Sequence, residues 1–182
     1  GITRGTTLTN FSPYEVCSQA QVLTFLWRAA ESPLVEVTVP FKMNGNEYYY
    51  DAVKWAVEQN ITAGTTASSF SPDDTCTQAQ IITFLYRAVG SPAVIGKNVY
   101  TNSAVTSKQY YYQAMLWAYQ NGVVTNTGLN PNSNCTRSDV VTYLWRLAGK
   151  PSAGSSVFSD VSTSAGYAQA VAWATQRGIT TG

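Results

Sequence analysis

Three cysteines, Cys17, Cys76 and Cys135, are the most reactive side chains in the sequence, and each stands 59 residues from the next. Thiolates ligate zinc or act as nucleophiles, but zinc sites use closely spaced ligands such as Cys-x-x-Cys, and none occurs here. The chain also contains no histidine, which excludes Ser-His-Asp and Cys-His catalysis and every His-ligated metal site. An odd number of thiols cannot fully pair, so buried free cysteines are expected, with neither a metal nor a cofactor. Carboxylates such as Asp51, Glu58, Asp73, Asp74 and Asp160 are scattered at the edges of sequence blocks, and no pair recurs. A glycosidase needs two facing carboxylates, so these read as solvated capping acids and no catalytic role is expected.

Binding chemistry has better candidates. Trp55, Trp117 and Trp173 recur in similar contexts, and an indole face either stacks on a sugar ring or fills a core; both roles stay open. Arg137 and Asp139 follow Thr136 in a segment that reads as a helix start. There the first backbone N–H groups, the helix dipole and a guanidinium would converge on an anion. Gln19 and Gln78 occupy the equivalent places and are neutral donors.

The background is poor in charge. Of 182 residues, 11 are Lys or Arg and 10 are Asp or Glu, which at 12% is about half the share of a typical soluble domain. The polar surface must come instead from 22 Thr and 17 Ser. A net charge of +1 leaves no electrostatic footprint for nucleic acid or an anionic membrane, so neither is expected as a partner. The most apolar stretch, residues 22–30, is too short to span a membrane and is broken by Thr24 and Arg28. Residues 1–10 lack a signal-peptide pattern, which suggests a mature or excised piece.

The elements that position these residues repeat. One block reads FSPYEVCSQAQVLTFLWRAAESP, FSPDDTCTQAQIITFLYRAVGSP and LNPNSNCTRSDVVTYLWRLAGKP. A second reads YYYDAVKWAVEQNITAG, YYYQAMLWAYQNGVVTN and GYAQAVAWATQRGITTG. In the first block, Ser18, Thr77 and Thr136 stand as helix N-caps, with Gln21, Gln80 and Asp139 three residues on. The cysteines then fall at N′ opposite Val22, Ile81 and Val140 at N4, the positions of a hydrophobic staple. Gly90 and Gly149 with the following prolines end two of these helices, whereas Glu31 replaces glycine in the first, so Pro33 alone is expected to stop it. Arg28, Arg87 and Arg146 read as partners of their own helix C-termini. In the second block, Tyr49, Ala52, Val53 and Ala56 give a helical stripe with Trp55 beside it, and Asn60, Gly122 and Gly178 read as left-handed terminators. The segments between are Ser-, Asn- and Gly-rich loops without a sheet. Residues 1–5 repeat the tail of the second block, so three halves of each kind form a permuted set.

Together these features resemble the S-layer homology family over essentially the whole chain. Its repeat runs Phe-x-Asp-Val, a Trp helix, Gly-Ile-x-x-Gly, Phe-x-Pro, then Thr-Arg-Ala-Glu. Here that reads Phe158-Ser159-Asp160-Val161, Trp173, Gly178-Ile179-Thr180-Thr181-Gly182, Phe70-Ser71-Pro72 and Thr136-Arg137-Ser138-Asp139. The resemblance implies an all-α, pseudo-threefold helical spindle of three repeats with two helices each. The units would be residues 1–33 completed by 158–182, then 34–92 and 93–151. It further implies a secreted, non-catalytic module at the bacterial cell surface, anchored to a cell-wall polysaccharide that often carries a pyruvate ketal. The ligand would lie in grooves between repeats, with the arginine on the acidic group and the Trp and Gly-Ile-x-x-Gly turn lining the groove.

The sequence departs from that pattern at the site. Only the third repeat keeps the arginine; the others read Ser18-Gln19-Ala20-Gln21 and Thr77-Gln78-Ala79-Gln80. Glutamine brings no charge, so one groove at most suits a ketal carboxylate. The turns are altered to Asn60-Ile61-Thr62-Ala63-Gly64 and Gly122-Val123-Val124-Thr125-Asn126. The expected ligand residues are therefore Arg137, Asp139, Gln19, Gln78, Trp55, Trp117 and Trp173. The alternative is a structural module that self-associates through its mid-repeat ends into a surface layer or fibre.

Overall fold

The long helices begin where the capping residues stand. The computed structural model describes residue 7 and residues 9–180. In chain order its helices are α1 (Gln19–Ala29), α2 (Tyr50–Glu58), α3 (Gln78–Ala88), α4 (Tyr112–Gln120), α5 (Arg137–Leu147) and α6 (Ala168–Gln176). All three cysteine-bearing helices carry full capping boxes. Asp139, though one methylene shorter than glutamine, closes its box as well, accepting from Thr136 N at 2.9 Å. Each such cap stabilises its helix by about 1 kcal/mol. The residues 1–5 tail and Gly182, both read above as parts of the terminal turn, lie outside the described residues.

The three helix starts are stitched to one another. Cys17 N donates to Cys135 O (2.9 Å), Cys76 N to Cys17 O (2.9 Å) and Cys135 N to Cys76 O (2.8 Å), a closed ring about a quasi-threefold axis. The next amides donate into the loop before the neighbouring long helix. Gln19 and Ala20 reach Asp74 O and Pro72 O, Gln78 and Ala79 reach Ser133 O and Pro131 O, and Arg137 and Ser138 reach Glu15 O and Pro13 O. The donors that an α-helix leaves unpaired at its start are thereby satisfied inside the protein. Among the described residues the only β pairing is isolated bridges, three of them within this ring, and the fold is all-α.

The helix ends correct one expectation. Gly90 and Gly149 take φ of +85° and +84°, each followed by a second left-handed residue, Ser91 or Lys150. Glu31 and Ser32 adopt the same pair of conformations, at +67° and +55°. Pro33 therefore does not stop α1 alone. The backbone is held by Ser32 N on Trp27 O (2.9 Å) and Trp27 Nε1 on Pro33 O (2.9 Å), bonds that recur at Tyr86 with Pro92 and at Trp145 with Pro151. Asn60, Gly122 and Gly178 end the shorter helices with positive φ, as expected. Tyr49 is the N-cap of α2 rather than part of its helical stripe.

Each cysteine helix packs against the Trp helix that follows it, α1 on α2, α3 on α4 and α5 on α6, while α1 also meets α3 and α5. Their inner faces, including Leu23, Phe25, Ile81, Ile82, Val140 and Val141, form the central core. Arg28, Arg87 and Arg146 stand in the last turn of their helices, as the dipole favours, but each also reaches a distant carbonyl. Their Nη1 atoms donate to Ile179 O (3.1 Å), Ile61 O (2.9 Å) and Val123 O (3.0 Å), so each long helix is also tied to the turn after a Trp helix. The C-terminal segment thus reaches α1. Asp160 accepts from Phe11 N (2.8 Å) and Ser12 N (2.7 Å), and Phe158 packs on Phe11. Among the described residues no helix is long and apolar enough to cross a membrane.

Candidate functional site

The ring of helix starts creates three related grooves. In each, the side chain at the first helical position faces the seventh position of the neighbouring helix, and in the first groove the turn after α2 forms one wall. The first positions are Gln19, Gln78 and Arg137; the facing seventh positions are Phe84, Tyr143 and Phe25.

In the first groove, Gln19 faces α3 across an open volume of about 390 Å³, lined also by Thr62, Gln80, Thr83, Phe84 and Tyr110. Among the described residues the Gln19 side chain makes no hydrogen bond, although only 5% of the residue is exposed. Arg87 lines the far end, its Nη1 held by Ile61 O. Gly64 at the turn has φ +86°, and a Cβ there would sit 2.5 Å from Phe41 and from Ser69 O, so glycine is required.

The second groove differs by one hydroxyl. Tyr143 Oη donates to Gln78 Oε1 at 2.7 Å, and Gln78 Nε2 donates to Asp139 Oδ2 at 2.8 Å. The two expected ligand residues Gln78 and Asp139 therefore bind each other. Burial pushes the Tyr143 phenol well above its ordinary pKa, with Asp139 adding to the rise, so the hydroxyl stays a donor.

Arg137, in the third groove, is folded inward and only 2% exposed. Its guanidinium stacks on Phe11 (4.9 Å) and Phe25 (5.4 Å), and Nε donates to Phe11 O at 2.8 Å. Burial lowers its pKa, opposed by Cys17, Glu15 and Asp160, and an arginine remains charged in such a setting. The convergence of backbone N–H groups on an anion, expected from the helix start, does not form: Arg137 N and Ser138 N donate to Glu15 O and Pro13 O instead. What remains unspent is Arg137 Nη2 and, at the turn position equivalent to Thr62, Thr180 Oγ1. Among the described residues these are the two buried side-chain polar atoms without a partner.

None of the three tryptophans lines the first groove. Trp55, Trp117 and Trp173 are all buried in the core. Trp117 packs on Tyr86, and an edge of Trp173 lines a separate cavity of about 610 Å³ with Leu144, Leu147 and Gln176. The three cysteines are free and fully buried, and burial pushes the Cys17 thiol up to about 12. Sequence reasoning placed Thr62 and Thr180 in the groove-lining turns but did not single out Phe84, Tyr143 or Tyr110. Aligning the seventh helical positions would have exposed the Phe-to-Tyr difference.

Comparison with known proteins agrees with this architecture. The chain matches the S-layer homology domain over residues 43–82, 105–141 and 157–182. The first two segments run from a Trp helix to the start of the next cysteine helix, and the third spans α6. A surface-layer 125 kDa protein of Lysinibacillus sphaericus is 29% identical over 146 residues, covering 76% of this chain and 12% of that protein. An endoglucanase of Bacillus sp. (strain KSM-635) is 33% identical over 91 residues, covering 48% of this chain and 9% of the relative. The chain thus spans about a tenth of the length of either relative. With three matched segments covering more than half of its residues, this chain belongs to the S-layer homology family.

Proposed function

We propose that this chain anchors the protein that carries it to the cell wall by holding a wall polysaccharide in the grooves between its repeats. A cell-surface location follows from family membership. The observation that carries the glycan reading is the pair of unspent donors in the third groove, Arg137 Nη2 and Thr180 Oγ1. A buried polar atom without a partner costs about 1–3 kcal/mol, and a carboxylate such as a pyruvate ketal supplies acceptor oxygens of the kind that each of these donors lacks. The reading is one of binding, not bond cleavage: the oxygens of Asp139 and Asp160 accept from capping and loop amides.

The test is amide chemical-shift mapping with polysaccharide released from sacculi of the producing strain. Shifts gathered at residues 61–65, 123–126 and 179–180 support the reading; shifts confined to the linkers after α1, α3 and α5 overturn it. A second reading, self-association, draws on those linkers. They expose Leu34, Ile95 and Val157 at 79%, 89% and 74%. Concentration-dependent polymers formed without glycan would favour it.

A further inference from the structure

Resting on the anchoring reading, we infer that the first groove is a separate subsite for an uncharged sugar unit, and that the second is shut by Tyr143. The two grooves share a glutamine at the first helical position and differ where that glutamine points. Tyr143 Oη and Asp139 Oδ2 occupy both ends of the Gln78 amide, at 2.7 and 2.8 Å. Phe84 stands where Tyr143 does and has no hydroxyl, so the Gln19 amide keeps both its donor and its acceptor for an incoming group. Gln80 spends Oε1 on Thr77 N at 2.8 Å, and its amide lines the same groove. Tyr110, 65% exposed, supplies a ring face at the edge.

The chemistry of this set selects its ligand. Primary amides pair with hydroxyl or acetamido groups, which both donate and accept, whereas a carboxylate gains most from a charged donor. The groove's cation is Arg87, seven residues along α3 from Gln80, about 10 Å away at the rise of an α-helix, and tied to Ile61 O. Arg87 lines the same groove and acts electrostatically on Tyr110, so the neutral part is the amide pair Gln19 and Gln80, where a sugar hydroxyl or acetamido group meets no guanidinium at the first helical position. The third groove, with Arg137, presents the opposite character.

The probe is wall polysaccharide released from sacculi of the producing strain, with its carboxyl groups reduced to alcohols. Wild-type chain is expected to bind it with an affinity that changes less than about twofold between roughly 0.1 and 1 M salt, since no charge is being screened. Phe84→Tyr places a hydroxyl against Gln19 and is expected to weaken binding about tenfold, the equivalent of one lost hydrogen bond. Gln19→Ala removes the amide without adding bulk and is expected to do the same. Both variants are checked for an unchanged unfolding midpoint. The inference is overturned if the uncharged polymer does not bind wild type, or binds both variants at wild-type strength, while native sacculi still retain the chain. Failure of native sacculi to retain wild type would instead sink the anchoring reading itself.

Discussion

Gly64 and Gly90 offer a matched pair of substitutions that separates backbone strain from steric exclusion. Their φ angles are nearly the same, +86° and +85°. A Cβ added at Gly90 meets nothing within 4 Å, whereas at Gly64 it lies 2.5 Å from Phe41 Cε1 and 2.5 Å from Ser69 O. Ser69 O cannot move cheaply, because it accepts from Thr65 N (2.8 Å), Thr66 N (3.1 Å) and Thr65 Oγ1 (3.0 Å). Gly90→Ala should therefore lose only the left-handed backbone term, about 1 kcal/mol. Gly64→Ala adds an overpacking cost of about 2 kcal/mol, for a total near 3 kcal/mol. For a chain of this size each kcal/mol shifts the melting temperature by about 2–4 °C, which separates a loss of about 3 °C from one of about 9 °C. Urea and thermal unfolding followed by circular dichroism read both. Equal losses would refute the packing of the turn against Phe41 and Ser69, and with it the shape of the first groove's wall.

Other consequences are as direct. Glu31→Gly relieves a left-handed non-glycine and is expected to stabilise by about 1 kcal/mol. The Arg177 ion pair it gives up is 3.1 Å long and solvent-exposed, so the substitution is expected to raise the urea midpoint; a lowered midpoint contradicts the strain at φ +67°. Arg137→Met, which removes the charged hydrogen bond to Phe11 O, is expected to lose about 2 kcal/mol in the same measurement, and an unchanged midpoint would show that this buried arginine does not hold the N-terminal loop. The native thiols should resist a disulfide reagent at neutral pH and react in urea. Because Cys17 is raised from 9.0 to about 12 on folding, the unfolded state releases its proton first as pH rises. Stability is therefore complete below about pH 9 and falls between there and about pH 12, and a urea midpoint that rises over that window would refute the burial.

How far the sequence led depended on the range of each interaction. The capping boxes, the staple cysteines and the left-handed ends at Asn60, Gly122 and Gly178 were legible because their partners lie within a few residues. Glu31 was misread because the bond that holds its turn open runs from the Trp27 indole to Pro33 O, a contact that composition does not announce. Arg28, Arg87 and Arg146 were read only in part: they stand in the last helical turn as expected, but the distant turn carbonyls that they bind lie far away in sequence and have no local signature. The backbone amides expected to join Arg137 in an anion site are likewise taken by distant partners, Arg137 N and Ser138 N donating to Glu15 O and Pro13 O more than 120 residues earlier. The Trp residues satisfied core and groove patterns equally on paper, and packing places them in the core. The single hydroxyl that separates Tyr143 from Phe84 was visible in the repeat alignment, but its meaning required knowing that position seven of one helix faces position one of another.

The central claim, that this chain is a wall-polysaccharide anchor, is tested most directly by partition of the purified chain onto sacculi of the producing strain before and after chemical removal of the polysaccharide. The account predicts that the chain sediments with native sacculi and stays in the supernatant with stripped ones. Equal sedimentation with both, or with neither, would contradict it.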